Sequence, residues 1–125
     1  MTTREIGNKG EDITCEYLLE NNYEIIKRNY TIKGGEVDII AIKGEIIAFV
    51  EVKTRAKNSL VSGYEAITKS KKDRIFKTAQ HYFTNNSVDF QPRFDVAIIE
   101  KDQKGNFNLN YIENAFDMSD SNIYF

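Results

Sequence analysis

Apolar residues recur every three to four positions near the start of the chain, and this spacing predicts an amphipathic helix from Thr3 to about Asn21. The apolar stripe of this helix consists of Ile6, Gly10, Ile13, Tyr17 and Leu18. Acidic residues collect on the opposite side, namely Glu5, Asp12, Glu16 and Glu20. The pair Asn21-Asn22 ends the pattern, because asparagine favours turns.

Five later segments are apolar at alternate positions or throughout, which predicts strands. They cover residues 23–31, 36–43, 45–55, 93–100 and 107–112. A second helical pattern runs from about Glu65 to Thr84, between the third and fourth strands. The third strand contains Ile46-Ile47-Ala48-Phe49-Val50, which is apolar on both faces and therefore predicts a central, buried strand. The predicted order is α-β-β-β-α-β-β, an α/β fold with a mixed central sheet flanked by helices.

Length and composition are typical of one soluble globular domain, with 125 residues of which 41% are hydrophobic. We expect one domain over residues 1–125, with residues 116–125 as a peripheral tail. No apolar stretch approaches the roughly 18 residues of a spanning helix, and the first residues lack the apolar segment of a signal peptide. Cys15 is the only cysteine, in agreement with a reducing compartment. These features predict a cytoplasmic protein.

Charge is distributed unevenly along the chain. The net charge of −2 argues, taken alone, against a nucleic-acid binder. Residues 52–80, however, hold eight basic and two acidic side chains, so this segment either binds phosphates or forms a solvated helix face. The residues that we predict to contact nucleic acid are Arg55, Lys57, Lys69, Lys71, Lys72 and Arg74. For Lys71 the alternative is that its stem covers the edge of the core, since it interrupts the apolar stripe of the second helix.

Asp38, Glu51 and Lys53 form the strongest candidate site. Glu51 and Lys53 share one face of the third strand, at the end of its buried segment. A tight turn near Gly44 sets Asp38 opposite residues 50–51. Two converging carboxylates repel each other unless a cation lies between them, and Mg²⁺ suits that position. Lys53 would then orient a water or stabilise the transition state at phosphorus. The simpler interpretation is an ion pair at an exposed strand end.

Glu11 is a third candidate acid, at the border of the apolar stripe of the first helix. Gly7 and Gly10 flank it, and each glycine costs about 1 kcal/mol of helix propensity. We interpret the two glycines as permitting a close approach between the helix and a neighbouring backbone. The alternative for Glu11 is a surface glutamate.

Five ordered motifs carry a family resemblance. They are Gly7-x-x-Gly10-Glu11…Tyr17-Leu18, Asn29-Tyr30…Gly35-Glu36-Val37-Asp38-Ile39-Ile40-Ala41, Phe49-Val50-Glu51-Val52-Lys53-Thr54-Arg55, Ser70-Lys71 and Arg93-Phe94-Asp95-Val96. In this order they resemble the YraN-type family, a group of small bacterial proteins similar to Holliday-junction resolvases. The resemblance covers about residues 4–100.

This resemblance implies the restriction-endonuclease-like fold and its metal-dependent nuclease site. Glu11, Asp38, Glu51 and Lys53 match that site, so all four are expected to be catalytic. The three acids are expected to bind Mg²⁺ or Mn²⁺. Lys71 matches the family's helix lysine. A homodimer is an expectation by analogy with junction resolvases.

Arg93 and Asp95 match a family motif to which the sequence assigns no role. The sequence therefore supports two hypotheses of different classes. The leading one is a metal-dependent endonuclease that hydrolyses phosphodiester bonds in DNA, including branched DNA. The other is a nucleic-acid- or partner-binding protein that keeps the nuclease fold without turnover.

Overall fold

The computed structural model describes residues 2–56, 67–86 and 89–117, and these ranges contain two helices and five strands. The elements are α1 (Thr3–Glu20), β1 (Glu24–Ile32), β2 (Gly35–Lys43), β3 (Ile46–Ala56), α2 (Lys69–Asn86), β4 (Gln91–Lys101) and β5 (Phe107–Phe116). The predicted order α-β-β-β-α-β-β is confirmed. Neither helix is long and apolar enough, within the described ranges, to cross a membrane.

The five strands of these ranges form one mixed sheet in the order β1-β2-β3-β4-β5. β3 and β4 are parallel, whereas the other neighbouring pairs are antiparallel. Between β2 and β3, Gly44 takes a φ of 58°, a conformation that glycine adopts without strain. The parallel pair needs a crossover connection, and α2 lies in it. This α/β architecture agrees with the restriction-endonuclease-like fold that the motifs implied.

Each face of the sheet carries a helix and a core. On one face α2 packs against aromatic side chains, including Phe49 and Phe94, whose ring centroids lie 5.7 Å apart. On the other face, Leu18 of α1 packs in a core that includes Val50. Because side chains alternate along a strand, Phe49 and Val50 point to opposite faces. The next residue that points toward α2 is therefore Glu51.

Two glycines of α1 have different surroundings. A Cβ at Gly10 would lie 2.5 Å from Oγ1 of Thr54 on β3, so only glycine permits this helix position. A Cβ at Gly7 would have no neighbour within 4 Å. At Gly10 the close approach is to side chains of β3 and β4, not to a backbone as predicted, and at Gly7 the prediction is wrong. The close crossing at Gly10 brings the following residue, Glu11, to the edge of the sheet.

Helix α2 begins at Lys69, four residues later than its predicted start. The reason is a helix cap: the hydroxyl of Thr68 accepts a hydrogen bond from the backbone N–H of Lys71 at 3.1 Å. A threonine in this position satisfies a backbone N–H that has no partner inside the helix. The predicted start, Glu65, lies outside the described residues.

Strand β5 continues to Phe116, four residues beyond its predicted end. Phe116 is only 6% exposed, and its ring stacks on Phe94 at a centroid distance of 5.6 Å. The predicted boundary of the peripheral tail is therefore wrong at this residue, which belongs to the core beneath α2. The aromatic side chain packs there because β5 pairs with β4 along the sheet edge.

Candidate active site

Four elements contribute titratable side chains to one cleft of about 290 Å³. These elements are α1, β2, β3 and α2, and the residues in question are Glu11, Asp38, Glu51, Lys53 and Lys71. The structure thus brings together all four residues that the sequence predicted to be catalytic. It adds Lys71, which sequence reasoning had placed on a phosphate-binding surface.

Asp38 lies on β2, directly beside Glu51 of β3. The register pairs Ile39 with Val50, as the turn near Gly44 predicted. The Asp38 Oδ2 atom accepts a hydrogen bond of 2.8 Å from the backbone N–H of Val52. Burial and then the negative charge of Glu51 raise the pKa of Asp38 to about 7, although the hydrogen bond from Val52 lowers it. The ionised form of Asp38 is therefore poorly stabilised in the cleft.

Glu51 pairs with Lys71 across the cleft. The Oε1 atom of Glu51 lies 2.5 Å from Nζ of Lys71. The glutamate side chain is 5% exposed and the lysine side chain is 35% exposed, so the pair reaches from the sheet to the cleft opening. Burial lowers the pKa of Lys71, but the hydrogen bonds to Glu51 and Lys53 raise it by more, so the pKa is raised overall. The sequence did hold a signal for this placement, since Lys71 interrupts the apolar stripe of α2.

Lys53 lies two residues after Glu51 on β3 and shares its face of the sheet. Burial, followed by its neighbour Lys71, lowers the pKa of Lys53, while the charges of Glu51 and Asp38 act in the opposite direction. A lysine with a lowered pKa releases its proton more readily than an exposed one, which suits acid–base chemistry. The structure thus places Lys53 in the cleft with Asp38 and Glu51, and its role in the reaction stays a prediction.

Glu11 reaches the cleft from α1, and its side chain is 14% exposed. Its Oε1 atom accepts a hydrogen bond from the Asn29 amide at 3.2 Å and lies 3.5 Å from the Arg28 guanidinium. Asn29 has a φ of 52°, in the left-handed region that asparagine tolerates better than most residues. Glu11 is thus held by β1, at one side of the acid pair formed by Asp38 and Glu51.

The carboxylates of the cleft are the candidate ligands for a metal ion. Within the ranges described above, no three Asp, Glu, His or Cys side chains lie close enough together to hold one. Glu11 consequently does not complete a preformed three-carboxylate set with Asp38 and Glu51. The acid pair by itself still fits Mg²⁺ or Mn²⁺, because Mg²⁺ is usually held by one or two carboxylates together with water and substrate oxygens.

A wider groove of about 560 Å³ leads away from the acid pair, between the β1–β2 turn and α2. Its wall includes Gly35 and Arg74. A Cβ at Gly35 would lie 2.9 Å from the backbone oxygen of Arg74, so glycine lets this turn lie directly against the helix. Lys69 and Lys77 line the adjoining surface. The structure therefore places two of the predicted phosphate-contacting residues, Lys71 and Arg74, in this groove, and a third, Lys69, on the adjoining surface.

Other members of the predicted nucleic-acid set point elsewhere. Lys72 lies over the Phe116 ring, 5.6 Å from its centroid. Arg55 forms an ion pair with Glu100 of β4 at 3.1 Å. Lys57 lies outside the described residues. The basic segment therefore contains two kinds of residue. Lys71 and Arg74 line the groove, whereas Arg55 and Lys72 contact other parts of the fold.

Arg93 and Asp95 belong to a network on the α1 side of the sheet. Asp95 is fully buried, and its carboxylate accepts hydrogen bonds from Arg93 at 2.8 Å and from the Tyr111 hydroxyl at 2.6 Å. It also accepts one from the backbone N–H of Asn114 at 2.9 Å, beside an irregularity in the β4–β5 register. Arg93 additionally contacts the hydroxyl of Tyr23. This motif therefore fastens β5 to β4, a structural role that the sequence left unassigned.

Comparison with known proteins agrees with the motif resemblance. The model of the uncharacterised protein family UPF0102 matches residues 10–99, which include all five titratable residues of the cleft. The chain belongs to this family. It is the YraN-type family that the sequence motifs indicated, so that prediction is confirmed.

Relatives in the UPF0102 family match the chain over most of its length. A UPF0102 protein of Dictyoglomus turgidum is 42% identical over 118 residues, covering 93% of this chain and all of the relative. One of Alkaliphilus metalliredigens is 44% identical over 117 residues, covering 91% and 99%. One of Fusobacterium nucleatum is 46% identical over 96 residues, covering 76% and 81%.

Proposed function

We propose that this UPF0102 protein is a cytoplasmic, metal-dependent endonuclease that hydrolyses phosphodiester bonds in DNA, including branched DNA. The acid pair of Asp38 and Glu51 carries the proposal, because two adjacent carboxylates, one half-buried and one buried, destabilise each other unless a cation binds them. Lys53 on the same face of β3 supports it, since phosphoryl transfer needs positive charge and a proton carrier at the reacting centre.

Asp38 and Glu51 would hold the ion, and Mg²⁺ or Mn²⁺ would supply the Lewis acidity that activates water and polarises the phosphate. Because Glu11 does not form a three-carboxylate group with Asp38 and Glu51 in the described residues, it would instead orient a water or a substrate group at the side of the acid pair. The backbone N–H of Val52 fixes the Asp38 carboxylate through a 2.8 Å hydrogen bond. The protein thereby holds one of the two carboxylates in place before the ion arrives.

Lys53 would act on the attacking water and on the phosphate. With its pKa lowered by burial and by Lys71, its Nζ atom exchanges a proton more readily than an exposed lysine does. In the ammonium form it stabilises the negative charge that develops on the phosphate oxygens in the transition state. Removal of this side chain is expected to reduce the rate of cleavage and to leave the affinity for DNA largely unchanged.

The groove along α2 would bind the sugar–phosphate backbone on one side of the cut. Arg74 lines this groove, and Lys69 and Lys77 line the adjoining surface. Each phosphate contact replaces a condensed counterion, which makes affinity depend on salt. Replacement of Arg74 by Gln is expected to reduce the slope of log affinity against log salt by about one contact. Because such contacts do not read bases, we expect weak sequence preference.

The test is a cleavage assay on linear duplex, single-stranded and four-way-junction DNA, with Mn²⁺ or with EDTA. Wild-type protein should cut at least one substrate with Mn²⁺ and none with EDTA. Glu51→Gln and Asp38→Asn should lower the rate by about a hundredfold or more, as loss of a group that acts on the transition state does. Glu16→Gln, an exposed charge change on α1, is the matched control. Cleavage by Glu51→Gln at the wild-type rate would refute the proposal.

A binding protein without turnover is the second candidate. It is favoured by Lys71, which already pairs with Glu51. This hypothesis expects DNA affinity that survives Glu51→Gln and falls when the charges of Lys69 and Arg74 are removed.

Homodimerisation stays a prediction, which sedimentation equilibrium of the full chain tests directly.

A further inference from the structure

One of the two carboxylates in the cleft, that of Glu51, is already paired with a cationic side chain of the protein, Lys71. The ammonium of Lys71 lies 2.5 Å from Glu51, within the range of a strong ion pair. Glu51 is 5% exposed, so few directions remain from which another ligand can approach it. The Lys71 ammonium occupies the position beside Oε1 of Glu51 that an ion bound through this oxygen would take.

Lys71 is attached in a way that allows its ammonium to move. Its backbone N–H is bonded to the Thr68 hydroxyl at the start of α2, which fixes the Cα atom. The side chain is 35% exposed and has a flexible stem of four carbons. The wide groove beside it, which also contains Arg74, gives the ammonium a place to go without any change in the backbone.

We propose that Lys71 is an internal counter-ion of Glu51 that competes with the divalent ion for this carboxylate. The inference rests on the proposed metal role of Asp38 and Glu51, and it adds that loading requires displacement of Lys71. Two cations at such short range repel each other strongly in a partly buried cleft, so the lysine and the metal ion exclude one another. The displaced ammonium remains at the cleft opening, where a substrate phosphate would enter.

The experiment is calorimetric titration of the full chain with Mn²⁺, without DNA. Lys71→Met keeps most of the stem and removes the charge. It is expected to bind Mn²⁺ about tenfold more tightly than wild type, which corresponds to 1.4 kcal/mol. Lys72→Met removes the same charge from the same helix at the Phe116 contact, and its affinity should stay within about twofold of wild type. Both variants are compared at one salt concentration.

A second pair of variants tests the site of competition. Lys71→Arg retains the charge and can bind Glu51 through two hydrogen bonds, so it should bind Mn²⁺ no more tightly than wild type. This variant keeps the proposal testable even if Lys71→Met folds poorly. In a Glu51→Gln background, Lys71→Met should bring no gain in affinity, because the contested carboxylate is gone.

Equal or weaker Mn²⁺ binding by Lys71→Met would overturn the proposal, and so would a gain that persists in the Glu51→Gln background. Failure of every variant to bind Mn²⁺ would also overturn it, since removal of the competitor should expose the acid pair. These outcomes are independent of DNA cleavage. A protein that shows the competition but cuts no DNA refutes the nuclease proposal and leaves the Lys71 inference standing.

Discussion

Asp38→Asn is expected to stabilise the metal-free protein above neutral pH. The pKa of Asp38 is about 7 in the folded chain, against an ordinary value of 3.8. Between these two values the folded state binds more protons than the unfolded state, so the free energy of unfolding falls as the pH rises through this window. A shift of about 3 pKa units corresponds to about 4 kcal/mol, which is an upper limit because Glu51 shares the effect.

Asparagine removes the charge and keeps the shape. Its side-chain oxygen can still accept the hydrogen bond that Val52 donates to Asp38 in the wild type. Because asparagine is neutral at every pH, the unfavourable contact with Glu51 does not develop as the pH rises. We therefore expect similar stabilities near pH 4 and a gain for the variant that reaches at most about 4 kcal/mol near pH 8.

The assay is urea unfolding in EDTA at several pH values between about 4 and 8, with the free energy of unfolding plotted against pH. The matched control is Glu36→Gln, which removes an exposed negative charge from the same strand. Its pH profile should run parallel to that of wild type. Asp38→Asn should instead diverge upward from wild type between about pH 4 and 7 and run parallel to it at higher pH.

A parallel profile for Asp38→Asn would refute the reasoning, because it would mean that Asp38 ionises without cost in the folded state. Added Mn²⁺ supplies an independent check. Wild type at a metal concentration of about a hundred times its dissociation constant should gain about 2.7 kcal/mol, while Asp38→Asn should gain much less. A larger gain for the variant would show that the ion binds elsewhere.

Two further stability predictions concern the scaffold around the site. Gly10→Ala should destabilise the protein by about 1–3 kcal/mol, because its Cβ would collide with Thr54, while Gly7→Ala should stabilise α1 by up to about 1 kcal/mol. Thermal unfolding of the two variants measures the contrast, and an equal effect of both would contradict it. Asp95→Asn should cost about 3–5 kcal/mol, since the partly buried Arg93 guanidinium then keeps only the exposed Glu113, at 3.9 Å, as a counter-charge. Chemical denaturation checks this value, and a loss below about 1 kcal/mol would refute the structural role of the pair.

The proximity of Asp38 and Glu51 could be predicted from the position of the turn and from the alternation of side chains along the strands. The turn at Gly44 is short, and residues on antiparallel strands then pair in a register that the turn position determines. Alternation along β3 places Glu51 and Lys53 on one face, whatever the rest of the chain does. For this reason Asp38 and Glu51 could be brought together from the sequence, and the register of β2 and β3 agrees.

The position of Lys71 depends on information that local patterns do not contain. Its distance from Glu51 is set by where α2 begins, which the Thr68 cap decides, and by how the helix is rotated on the sheet. The Asp95 network depends on longer-range contacts still, since its hydroxyl partner Tyr111 lies on β5. A hydrophobic pattern indicates which face of an element is buried, but it does not fix which polar groups meet at the edge of the core.

The two aspartates of this sheet show how differently the fold treats a carboxylate. Asp95 is fully buried, and its carboxylate is stabilised by hydrogen bonds that Arg93, Tyr111 and Asn114 donate. Asp38 receives one from the Val52 N–H and lies beside a second carboxylate, which burial makes more costly. The same chain can evidently supply cationic and hydroxyl partners to an aspartate when stability requires them. Asp38 instead lies beside a negative charge, with the nearby Lys71 ammonium paired to Glu51, and this is the physical reason for our proposal that its carboxyl binds a ligand from outside the protein.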